Sequence, residues 1–212
     1  MNSQMLHVEF DRQVENLVKI GYPKVAGVKT KDFIQHIEPL KKRIGILPAL
    51  KKKAGAGCVA FVIVIKKDLV ASEKAMPLVN LAGANGFVGM YPVEVESFKP
   101  IDGVTIPNGP AYLVADIDAG KETLNVTPDD ALKTIRRSSR SPLTIDEGIA
   151  LVTHFPEILR NSNCFSMLGS RRGDRRVTAI WISRGKPRLG WCWAGNPHTW
   201  LGAASCSSRI GR

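Results

Sequence analysis

The sequence predicts one α+β domain, with helices at the N-terminus, a mixed or antiparallel sheet, two helices in the middle and a C-terminal β-meander. Three observations carry this reading. Apolar residues recur at helical spacing near the N-terminus, and a β-branched run fills Cys58–Ile65. From Cys164 onward, short alternating segments are separated by turn residues.

Taken in order, Phe10, Val14, Leu17 and Val18 form the first helical stripe, which "GYP" at 21–23 stops. Phe33, Ile37, Leu40 and Ile44 form a second, with Thr30 as its expected cap and Pro39 as an expected kink or break. Lys41, Lys42 and Arg43, then Lys51, Lys52 and Lys53, read as a solvated helix end and a basic linker. "CVAFVIVI" reads as a buried strand. "GANG" at 83–86 is no phosphate loop, because no lysine and hydroxyl follow it. "YPVEVESF" alternates, which predicts a half-buried strand with Val93 and Val95 inward and Glu94 and Glu96 outward. A Pro-Asn-Gly-Pro turn precedes a strand through Tyr112 and Ile117.

Two helix starts are well marked. In "TPDDAL", Thr127 suits the N-cap, Pro128 the first helical position, and Asp129 and Asp130 the positive end of the dipole. In "TIDEGI", Thr144 and Glu147 have capping-box spacing. Both acidic pairs thus have a structural task, and neither is assigned to catalysis. His154, near the end of the second helix, is expected to cap carbonyls.

The chain of 212 residues is read as a single domain, 1–212, in three parts of unequal charge. Residues 1–57 are helical with net charge +6, residues 58–159 form an α/β middle with −4, and residues 160–212 form an Arg/Trp-rich meander with +9. The longest apolar run, Cys58–Ile65, falls far short of the ~20 residues of a membrane helix. "MNSQMLHVEF" lacks the pattern of a secretory signal, so a cytoplasmic location is expected, with the four cysteines reduced.

The candidate site lies in the meander. If its strands run up, down and up, then Arg171, Arg172, Arg175 and Arg176 share one end with Asn196 and His198. Arginine forks suit carboxylates and phosphates. Trp191, Trp193 and Trp200 supply apolar walls, and His198 and Cys192 are the candidate catalytic groups. This predicts binding of a small anionic metabolite, with its transformation left open and no cofactor indicated. The basic surfaces make nucleic acid the alternative partner. A structural zinc site from Cys164, Cys192, His198 and Cys206 is a second alternative, having the ligand types but no close Cys-x-x-Cys pair.

The strings "PNGPAYLV", "SPLTIDEGIALVTHFPEIL" and "LGWCWAGNPHTWLG" resemble an uncharacterised, mostly actinobacterial family described as a domain of unknown function. The resemblance spans about 5–210. It implies a self-contained bacterial protein in the cytoplasm and assigns no residue a role.

Overall fold

The computed structural model describes residues 3–48 and 57–212, and the basic run Lys51, Lys52 and Lys53 lies outside them. Helix α1 (Ser3–Lys19) buries Phe10, Gln13 and Leu17. The "GYP" stop holds, and a short helix α2 (Tyr22–Ala26) starts directly on it. Helix α3 (Thr30–Ile37) has Lys29, not Thr30, at the N-cap position. The break at Pro39 is a switch to 3-10 geometry over Glu38–Ile46, since proline has no N–H to continue the α-ladder. Among the described residues no helix is long and apolar enough to cross a membrane.

Strand β1 (Cys58–Ile65) leads into α4 (Ser72–Ala75) and three two-residue strands, β2 (Asn80–Leu81), β3 (Ala84–Asn85) and β4 (Phe87–Val88). After β5 (Lys99–Pro100) come β6 (Ala111–Asp118), α5 (Pro128–Arg137), β7 (Ser141–Pro142) and α6 (Ile145–His154). The meander is β8 (Cys164–Arg171), β9 (Arg176–Ser183) and β10 (Lys186–Trp193). The chain ends in β11 (Leu201–Ala203), β12 (Ser205–Cys206) and β13 (Ser208–Ile210).

These strands form two sheets. One has the order β1-β6-β12-β7, with β13 continuing along β6. The other has the order β11-β8-β9-β10-β4, with β5 pairing Ser170 and Arg171 at the end of β8. The sheets are laced together by backbone. Ala204 N–H donates to Ser166 at 2.9 Å, Leu143 N–H to Ala204 at 3.0 Å and Gly169 N–H to Leu143 at 2.8 Å. A Cβ on Gly120 or Gly202 would overlap the backbone of the other segment, so glycine is required at both.

Helix α6 is buried all round and packs against β1, β8 and β9. A side chain at Gly148 would collide with Met167 of β8, and this close approach sets the helix against the second sheet. The exposed edge of β1 is covered by side chains: the Gln13 amide donates to Phe61 O at 3.0 Å and accepts from Ile63 N–H at 2.8 Å. His154 does not cap its own helix. Its Nε2 lies 3.3 Å from Ile63 O, and burial drives its pKa down to about 3, so the ring is neutral.

The caps at Thr127 and Thr144 form as expected. Residues 93–98 do not. Val93 and Val95 are buried while Glu94 and Glu96 are exposed, but a turn and the 3-10 segment Val95–Ser97 replace the strand. The period-2 burial was real; no neighbouring strand offers it a ladder, and Ser97 N–H returns instead to Glu94 O at 3.2 Å.

Candidate functional site

The meander places Trp193 opposite Arg176, so the tip 172–175 and the end of β10 share one end of the sheet. Arg176 lies over both Trp191 (4.6 Å) and Trp193 (4.9 Å), joining the arginine-rich and indole-rich segments there. His198 does not join them. Strand β11 runs parallel to β8, and a parallel partner must start from the same end. Segment 194–200 therefore carries the chain back from the tip to Cys164, whose N–H donates to Trp200 O at 2.8 Å. His198 packs on Trp200 at 5.4 Å, and Trp200 meets Trp181 edge-on at 6.1 Å.

Register separates the rings further. Trp191 pairs with Thr178 and Trp181 with Arg188, and alternation sends 188 and 191 to opposite faces. Trp191 and Trp193 thus occupy one face, Trp181 and Trp200 the other. The expected wall of Trp191, Trp193 and Trp200 does not form. No hydrogen bond or ring contact joins His198 to Cys192 or to Arg171, Arg172, Arg175 or Arg176. Asn196 is exposed, with only its backbone bonded, to Trp193 O at 3.1 Å.

Most of the tip's arginines are already occupied. Arg172 and Arg176 pair with Asp174 at 3.2 and 2.6 Å, and Arg171 reaches Asp129 of α5 at 3.2 Å. Desolvation opposes ionisation of Asp174, but the bonds from Arg176 and the charge of Arg172 outweigh it and hold its carboxyl below the usual range. The Arg175 side chain is exposed and makes no hydrogen bond or ion pair.

The thiols are the reverse of activated. Burial pushes Cys192 up to about 11, against a bond from Ser166 and the charge of Arg171. Burial and the nearby Glu147 push Cys206 up to about 12. Cys164, also raised by burial, donates to Arg160 O at 3.1 Å. Cys164, Cys192, His198 and Cys206 are held apart, and no cluster of His, Cys, Asp and Glu among the described residues could hold a metal ion.

A different site emerges where the two sheets meet. A cavity of about 460 Å³ opens between the loop after β1, α4, residues 95–106, the first turn of α6 and the end of β8. Val95, Phe98, Pro100, Ile106, Tyr112 and Ile145 give it an apolar lining. Asp146, Glu73, Glu96, Lys66, Lys67 and Ser72 supply the polar groups.

Asp146 is presented by the way α6 begins. Thr144 and Glu147 form the capping box, with Thr144 N–H donating to Glu147 Oε2 at 2.7 Å. That leaves Asp146 unspent on the first helical turn. Its carboxylate accepts from the Ser72 hydroxyl at 2.8 Å and from Lys67 N–H at 3.2 Å. Burial raises its pKa, and these bonds and the Lys67 charge oppose the shift only in part. Glu73 is raised as well, by desolvation and then by the adjacent Glu96.

Behind the cavity lies a buried hydrogen-bonded network. The Tyr112 hydroxyl donates to Glu147 Oε1 at 2.9 Å, and Arg209 grips Glu147 through both oxygens at 2.5 and 2.8 Å. Arg209 also donates to Ser141 Oγ at 2.6 Å and Pro142 O at 2.8 Å. Burial and the Glu147 charge keep the Tyr112 phenol far above its ordinary pKa, hence neutral.

Sequence reasoning missed Asp146, Glu73 and Glu96. One trace was readable: a capping box uses only Thr144 and Glu147, so "TIDEGI" carries one carboxylate more than its helix start requires. No curated protein and no solved structure matches this chain. The family model that does match covers residues 16–212, so the chain belongs to the family of unknown function DUF5701.

Proposed function

We propose that this protein binds a small molecule in the cavity between its two sheets, with Asp146 as the principal polar contact. The ligand has an apolar body and a hydrogen-bond-donating head, an amine or a group of hydroxyls. The single observation that carries this is Asp146 itself: a largely buried carboxyl on the wall of a 460 Å³ apolar cavity, with no ion-pair partner. Binding sites commonly combine such a wall with a few convergent polar groups and a shifted titratable residue.

The charge balance selects the ligand class. Asp68, Glu73, Glu96 and Asp146 outnumber Lys66 and Lys67 around the opening, which favours a hydrogen-bond donor over an anion in this cavity. The four free cysteines fit a reducing compartment, and we place the protein in the cytoplasm.

The reading is tested by thermal denaturation in the presence of a library of amines, polyols and carboxylates. Amines or polyols are expected to raise the melting temperature of the wild type, and Asp146→Asn is expected to lose that rise while keeping its own cooperative melt. Stabilisation by carboxylates alone, or an undiminished rise in Asp146→Asn, would overturn it.

A further inference from the structure

We infer that the tip of the meander is a docking surface for single-stranded nucleic acid, with Tyr91 and Trp193 as stacking platforms and Arg175 as a phosphate contact. This surface is separate from the cavity and does not depend on the reading given for it. Tyr91 is 92% exposed and Trp193 42%, and among the described residues they are the exposed large aromatics. The structure brings them to one place. The Trp191 indole N–H donates to Met90 O at 3.0 Å and Tyr91 O at 3.4 Å, while Trp191 meets Trp193 at 5.1 Å. Arg176 packs over Trp191 and Trp193 and so fixes the Trp193 ring, while Tyr91 is held there by its backbone carbonyl on the Trp191 indole.

Two exposed cations stand at the tip, and the exposed Glu94 lies near Tyr91 in the chain. Arg175 is exposed and its side chain is unpartnered, and Lys99 is exposed on β5 beside Arg171. Arg171, Arg172 and Arg176 are paired with Asp129 and Asp174, so Arg175 is the tip arginine left for a phosphate. Flat apolar faces and negative charge together describe unpaired bases on a phosphate backbone. A duplex keeps its base faces stacked inside, and an acidic peptide would meet the arginines but leave the rings in water.

The test is fluorescence anisotropy at 50 mM salt with labelled dT and rU twelve-mers, a duplex of equal length, and polyglutamate as competitor. The single strands are expected to bind at least tenfold more tightly than the duplex, and polyglutamate to compete poorly. Tyr91→Ala and Trp193→Ala are each expected to weaken binding about tenfold, as for loss of a base stack. Arg175→Ala is expected to lower the salt slope by about 1. Because the Tyr91 ring is almost wholly in solvent, its removal leaves the fold intact and keeps the test decisive. Absence of single-strand binding, equal binding of duplex, full displacement by polyglutamate, or wild-type affinity in both aromatic variants would each overturn the inference.

Discussion

The meander tip and the inter-sheet cavity treat their charges in opposite ways. At the tip, cations are crowded along a few consecutive residues, and Asp174 and Asp129 answer most of them in partly solvated pairs. At the cavity, Asp146 and Glu73 come from segments more than seventy residues apart, and burial with no cationic partner raises both carboxyls. A conspicuous cluster in sequence is easily neutralised by its own neighbours. Groups gathered by topology, with no local partner, are left available for a ligand.

Substitution of arginines sharpens this contrast, and the largest effect is expected behind the cavity. Arg209→Ala leaves Glu147 buried and unpaired, which costs about 3–5 kcal/mol; urea denaturation measures it. A loss below about 1 kcal/mol would mean that Glu147 is not the buried anion described here. At the tip, Arg176→Ala removes two ring contacts, for a loss of about 1 kcal/mol. Arg175→Ala is expected to change stability by no more than about 0.5 kcal/mol. A large loss there would break the comparison, because the tip would then be structural.

The pH dependence of binding separates the two regions by sign. A donor head favours ionised Asp146, whose pKa lies above that of a free aspartate. Affinity should therefore be greatest above that raised value and fall as pH drops through it. An anion held by arginines at the tip would show no such loss until the ligand itself protonated. Calorimetric titration between pH 7.5 and about 4 reads the difference.

How far the sequence reached follows the same line. β1, β6, the meander and the caps at Thr127 and Thr144 were legible because each is specified by its own residues: a β-branched run, alternation between turns, a side chain reaching three positions along. The 93–98 segment misled because alternation reports burial, and a strand also needs a partner edge. His198 was misplaced because the path of 194–200 is dictated by where β11 must enter beside β8, which is a long-range fact. The cavity was illegible for the same reason. Its walls come from segments scattered between Lys66 and Ser170, and the one motif among them, the capping box at Thr144, marks a helix start and not a cavity.

The most direct measurement is a crystal structure of the protein with its most strongly stabilising small molecule. Electron density is expected in the inter-sheet cavity, with a donor atom of the ligand within hydrogen-bonding distance of Asp146 and its apolar part against Phe98 and Ile145. Density at the arginine tip instead, with the cavity free of ligand, would contradict it.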